Sequence, residues 1–122
     1  MGRDINNDMY AKVFVSSNLE IAILANLIGT FLNVPVTKFL GIVTNEIDID
    51  VDKNDFYDST KTLFINFKYV LDVNSLIGVE KGQFLASLFN LVSFLKRQDC
   101  LVVVACDWED ELNEMVEKEL KA

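Results

Sequence analysis

Histidine is absent from all 122 residues. That removes the commonest general base and the commonest zinc ligand together. Arginine occurs only as Arg3 and Arg97, too few to clamp phosphate groups. The few glycines follow no phosphate-loop or dinucleotide spacing; Gly78 and Gly82 stand alone. Cysteine is limited to Cys100 and Cys106. In an extended strand six residues span roughly 20 Å, far beyond disulfide reach. The pair therefore reads as small buried hydrophobes in a reducing compartment. Cys106 also lacks the neighbouring cation or histidine that would make it a reactive thiolate. No apolar run reaches membrane-spanning length, because Asn26 and Asn33 interrupt the longest. The first ten residues, MGRDINNDMY, carry no apolar signal core, and Asn6 stands where a myristoylation motif wants Ser or Thr. A cytoplasmic protein with no membrane partner is expected.

What remains is a folded composition. Hydrophobic residues make up 51% and aromatics 11%, enough to bury a core, and the length fits one domain over 1–122 with residues 1–8 frayed. The charge balance is 19 acids against 11 bases, a net −8, which argues against direct nucleic-acid binding. The acids cluster. Glu46, Asp48, Asp50, Asp52, Asp55 and Asp58 form one run, and Asp107, Glu109, Asp110, Glu111, Glu114, Glu117 and Glu119 form another.

Along the chain, Tyr10–Ser16 alternates as a first strand. Ser17 with Glu20 three residues on fits a capping box, and the helix it opens is apolar nearly all round. Asn33 and Pro35 end that helix. A second strand is expected from Lys38 through Gly41, a candidate bulge, to Asp52. A third runs from Thr62 to Val73. Glu80–Gln98 has the broad apolar face of a second helix, with Lys96 and Arg97 suiting its last turn. Cys100–Cys106 is continuously apolar, as in a strand buried on both sides. From Asp107 a C-terminal helix is expected. The order predicts an α+β fold: a ferredoxin-like βαββαβ sandwich, with a four-stranded antiparallel sheet, two helices on one face and a C-terminal helix beyond.

The residues 45–58, NEIDIDVDKNDFYD, carry the most information. Glu46, Asp48, Asp50 and Asp52 take one strand phase, and Ile47, Ile49 and Val51 take the other. A plain reading makes this an edge strand whose charges block aggregation. A sharper reading makes it a surface for a cationic partner. A hairpin pairing Asp52 with Thr62 would set Asp50 opposite Phe64, Asp48 opposite Asn66 and Glu46 opposite Lys68, leaving one lysine for the ladder. An acidic patch with an embedded aromatic is typical of an interface. The Asp48-x-Asp50-x-Asp52 start of a calcium loop fails at its sixth and twelfth positions, Lys53 and Ser59. Paired carboxylates on an open face lack the cleft that acid–base catalysis needs. No enzyme activity, metal or cofactor is expected. Asp107 to Glu111 reads first as an N-cap and acidic first turn, which leaves Trp108 as a candidate anchor.

The run Val103-Val104-Ala105-Cys106-Asp107-Trp108-Glu109-Asp110-Glu111-Leu112, with Glu46-Ile47-Asp48-Ile49 and Asn54-Asp55-x-Tyr57-Asp58 upstream, resembles immunity proteins of contact-dependent growth inhibition and related polymorphic-toxin systems. Asn113 stands where that pattern would have proline. The resemblance implies a protein that neutralises a cognate toxin. A nuclease suits the charge, because nuclease sites are basic and an acidic surface steers toward them. The expected contact set is Glu46, Asp48, Asp50, Asp52, Asp55, Tyr57 and Asp58, followed by Trp108, Glu109 and Asp110. The rival expectation is a homodimeric ferredoxin-like module that binds a ligand or regulates an enzyme.

Overall fold

The structure, a computed structural model, describes residues 5–54 and 67–106. Their order is β1 (Ile5–Ser16), α1 (Ile21–Leu32), β2 (Gly41–Val43), β3 (Ile47–Lys53), β4 (Tyr69–Leu76), α2 (Lys81–Arg97) and β5 (Leu101–Ala105). The strands form one open antiparallel sheet in the order β2-β3-β4-β1-β5. The fold is α+β as expected, but among the described residues the sheet has five strands and not four.

The extra strand comes from a turn. The stretch expected as one strand from Lys38 to Asp52 folds back on itself, and β2 pairs with β3 through Ile42 and Ile49. Thr44 makes the reversal: its Oγ1 accepts from the backbone N–H groups of Glu46 and Ile47, each at 3.1 Å. A threonine hydroxyl can hold a tight turn in this way without glycine or proline. In consequence β3 is an interior strand with β2 on one side and β4 on the other. The edge-guard reading of its acids therefore fails.

Alternation along each strand decides the core. Ala11, Val13 and Val15 of β1, Ile47, Ile49 and Val51 of β3, and Tyr69, Leu71 and Val73 of β4 are buried on one face. Against them pack Leu24, Ala25 and Ile28 of α1, and Phe84, Leu88, Leu91 and Leu95 of α2. The buried Tyr69 hydroxyl donates to the Leu19 carbonyl at 2.6 Å, tying the approach to α1 onto the sheet. A buried hydroxyl without such a partner would cost about 1–3 kcal/mol.

The helix ends differ from expectation at one point. The N-cap of α1 is Glu20, which makes no side-chain cap bond. Ser17 Oγ accepts instead from the Leu19 N–H at 3.1 Å, so the predicted capping box is a short turn ahead of the helix. Asn33 does end α1, in the left-handed conformation at φ 59. In α2, Glu80 and Gln83 form a reciprocal capping box, and Lys96 and Arg97 lie in the last turn. The expected doubly buried strand at Cys100–Cys106 is corrected too. β5 is a sheet edge, with Leu101 exposed and its other residues half-buried. Its valines reflect one packed face, with Val102 and Val104 against the core. The expected C-terminal helix lies outside the described residues, as does the start of the expected third strand.

Candidate functional site

The side chains of alternate phase form the other face of the sheet. Cross-strand register arranges them in rows. Asp52 pairs with Val70, which pairs with Phe14, which pairs with Val103. In the next row Gly41 pairs with Asp50, Asp50 with Asp72, Asp72 with Lys12, and Lys12 with Ala105. Beyond it Val43 pairs with Asp48, Asp48 with Asn74, and Asn74 with Tyr10.

This register overturns the expected hairpin. Asp50 faces Asp72 and not Phe64, Asp48 faces Asn74, and Asp52 faces Val70. The hairpin is closed by Asn54, whose backbone N–H donates to Lys68 O at 3.0 Å and whose side-chain amide donates to Phe67 O at 2.8 Å. Lys68 does not face Glu46; its ammonium lies 5.5 Å from the centroid of the Tyr69 ring.

The expected ladder divides into three environments. Glu46 precedes β3 and turns toward the helices, accepting from Ser87 Oγ of α2 at 2.9 Å. Asp48 is almost completely enclosed, 1% exposed. Asp50 is half-buried and Asp52 exposed on the face of the sheet turned away from α1 and α2. Asp55, Tyr57, Asp58, Trp108, Glu109 and Asp110 lie outside the described residues. Because Asp48, Asp50 and Asp52 occupy a regular strand, they do not form a calcium-loop start.

Four residues on or beside this face were not singled out by the sequence. Asp72 sets a second carboxylate directly opposite Asp50, a like-charge cross-strand pair that costs stability in isolation. Tyr10 donates its hydroxyl to Asp72. Burial, then that bond and the Asp72 charge, push the Tyr10 phenol well above its ordinary value. Lys12 faces Asp72 from the other side. Phe39, 85% exposed, stands beside the face on the 34–40 connection. The signal for Asp72 was present, since it shares the polar phase of β4 with Asn74, but only the true register brings it to Asp50.

The Phe39 turn is tightly held. Thr37 and Gly41 bond through Thr37 N–H to Gly41 O at 2.9 Å, and Thr37 Oγ1 accepts from Gly41 N–H at 2.9 Å. Leu40 N–H donates to Thr37 O at 3.0 Å. The geometry forces Leu40 into the left-handed region at φ 60, a conformation that costs a side-chain-bearing residue roughly 1 kcal/mol.

The two thiols are free, Cys100 buried and Cys106 half-buried. Burial pushes the Cys100 thiol up; Asp99 adds to this and a bond with Ser17 opposes it. That direction is opposite to what a nucleophilic cysteine needs. Among the described residues, no helix is long and apolar enough to cross a membrane. No family model, curated protein or solved structure matches this chain.

Proposed function

We propose that this protein binds a cationic protein partner through the face of its sheet turned away from α1 and α2, and that it serves as an immunity protein for a bacterial toxin whose active domain is a nuclease. The fold behind this reading is ferredoxin-like, with β3-β4-β1-β5 as its four-stranded core and β2 added at one edge. The observation that carries it is the opposition of Asp50 and Asp72 beside Asp52, on a face that also holds Phe14 and Val70. Clustered carboxylates raise local negative potential, which speeds encounter with a basic surface. An exposed aromatic such as Phe39 at the margin of the patch supplies the anchor that tight interfaces concentrate their energy on. Glu46 and Asp48, turned inward or enclosed, support the face and do not make contact.

The test is affinity for the toxin domain encoded in the adjoining reading frame, measured by calorimetry across salt concentrations. Replacing Asp50, Asp52 and Asp72 together with Asn should weaken binding and flatten its salt dependence. An affinity unchanged by the triple substitution at low and high salt would refute the reading. The second reading, a homodimeric ligand-binding or regulatory module, draws on the cleft at the end of β3. A salt-insensitive tight dimer in light scattering would favour it.

A further inference from the structure

A cleft of about 930 Å3 lies at the end of β3, lined among the described residues by strand side chains of both phases, by Lys38, Phe39 and Leu40, and by Ile21 of α1. Small-molecule sites occupy about 300–1,000 Å3 and combine apolar walls with a few polar groups. Phe14, Val70 and Leu40 supply the walls. Among the described residues, Lys12, Lys38 and Lys53 supply three ammonium groups, against the two carboxylates of Asp52 and Asp72. In a chain of net charge −8, a concavity with more bases than acids is a local reversal. A cationic partner would not need those lysines there.

We propose that this cleft binds a small amphipathic anion: an aromatic or aliphatic body bearing one carboxylate, sulfonate or phosphodiester. The body rests on Phe14 and Val70, and the head faces the lysines. Lys12 comes from the middle of β1, Lys53 from the end of β3 and Lys38 from the turn, so the charges reach the cleft from three elements. Phe39 has most of its ring surface in water and gains burial when an apolar body lies beside it. Asp52 and Asp72 limit the site to a singly charged head, because a second negative charge would meet them.

The probe is 1-anilinonaphthalene-8-sulfonate, titrated by fluorescence into the full chain at low salt. One saturable site is expected. N-phenyl-1-naphthylamine, the same body without the sulfonate, measures the apolar share alone. Lys12→Gln, Lys38→Gln and Lys53→Gln should each weaken the sulfonate by about two- to fivefold, the range of a partly exposed ion pair, and leave the neutral probe unchanged. Because loosened chains also take up this dye, amide chemical shifts should place the bound probe near Lys12, Phe14 and Val70. Absence of saturable binding, equal loss for both probes, or shifts confined to another part of the molecule would overturn the proposal. None of these outcomes touches the cationic-partner reading, which is decided by the aspartate substitutions and the toxin domain.

Discussion

The two faces of β3 are built from consecutive residues and meet opposite conditions. Ile47, Ile49 and Val51 are sealed under α1 and α2, at most 2% exposed. Asp48, Asp50 and Asp52 point the other way and grade from enclosed to exposed along the strand. The covered face is uniform because every position does the same thing: it removes carbon from water. The opposite face is graded because each position answers to a different neighbour, Asn74, Asp72 or Val70. Stability therefore concentrates on one side and chemical variety on the other.

The comparison breaks most visibly if the covered side is opened. Ile49→Ala should cost about 2–5 kcal/mol in urea unfolding, the range for large-to-small changes in closed cores. A loss below 1 kcal/mol would mean the sheet and helices are not packed as described. Gly29→Ala tests the helix side. A methyl there would meet Val36 Cγ2 at 2.7 Å and Val34 O at 3.0 Å. Backbone cannot retreat cheaply, so overpacking should outweigh the helix-propensity gain of about 1 kcal/mol and leave a net loss of about 1–2 kcal/mol.

On the opposite face the effects are smaller. Tyr10→Phe removes a hydroxyl bonded to a carboxylate at a partly exposed site and should cost about 0.5–1.5 kcal/mol. It also has a pH signature. The folded protein holds the Tyr10 proton more tightly than the unfolded chain does. That contribution is complete below the ordinary phenol value of 10.0 and is lost as pH rises above it. Unfolding curves from pH 8 to 11 should show wild type losing more stability than Tyr10→Phe. Parallel slopes would show that Asp72 does not hold the phenol. Least of all, Lys12→Gln should change stability by about 0.2–1 kcal/mol, the scale of a cross-strand charge pair. A larger loss would make Lys12 structural and weaken the case for its facing a ligand.

Sequence reasoning carried the two helices, the phase of β1, β3 and β4 and hence the side on which Asp50 and Asp52 emerge, because period-two and period-3.6 patterns record burial directly. It missed what depends on partners. The β2–β3 reversal rests on one threonine hydroxyl in a run, Val43-Thr44-Asn45, that also suits a strand. The register rests on Asn54 capturing the backbone at Phe67 and Lys68, and no local pattern specifies that. The enclosure of Asp48 comes from tertiary surroundings, and alternation alone assigns it the same exposure as Asp52. For the candidate site, the acids of β3 were legible. Asp72, Tyr10 and Lys12 became visible only when β1, β3 and β4 were brought side by side.

The Thr37–Gly41 bonds have one more effect. β2 is an outer border of the sheet, and both backbone polar groups of its first residue are already occupied by Thr37. Of a three-residue strand, Ile42 is turned inward to Ile49 of β3, so only Val43 is left to receive a guest. An extended peptide that joins a sheet needs a longer run of open main chain to dock against. Along this border, recruitment by strand addition is foreclosed, and a visiting molecule must read side chains.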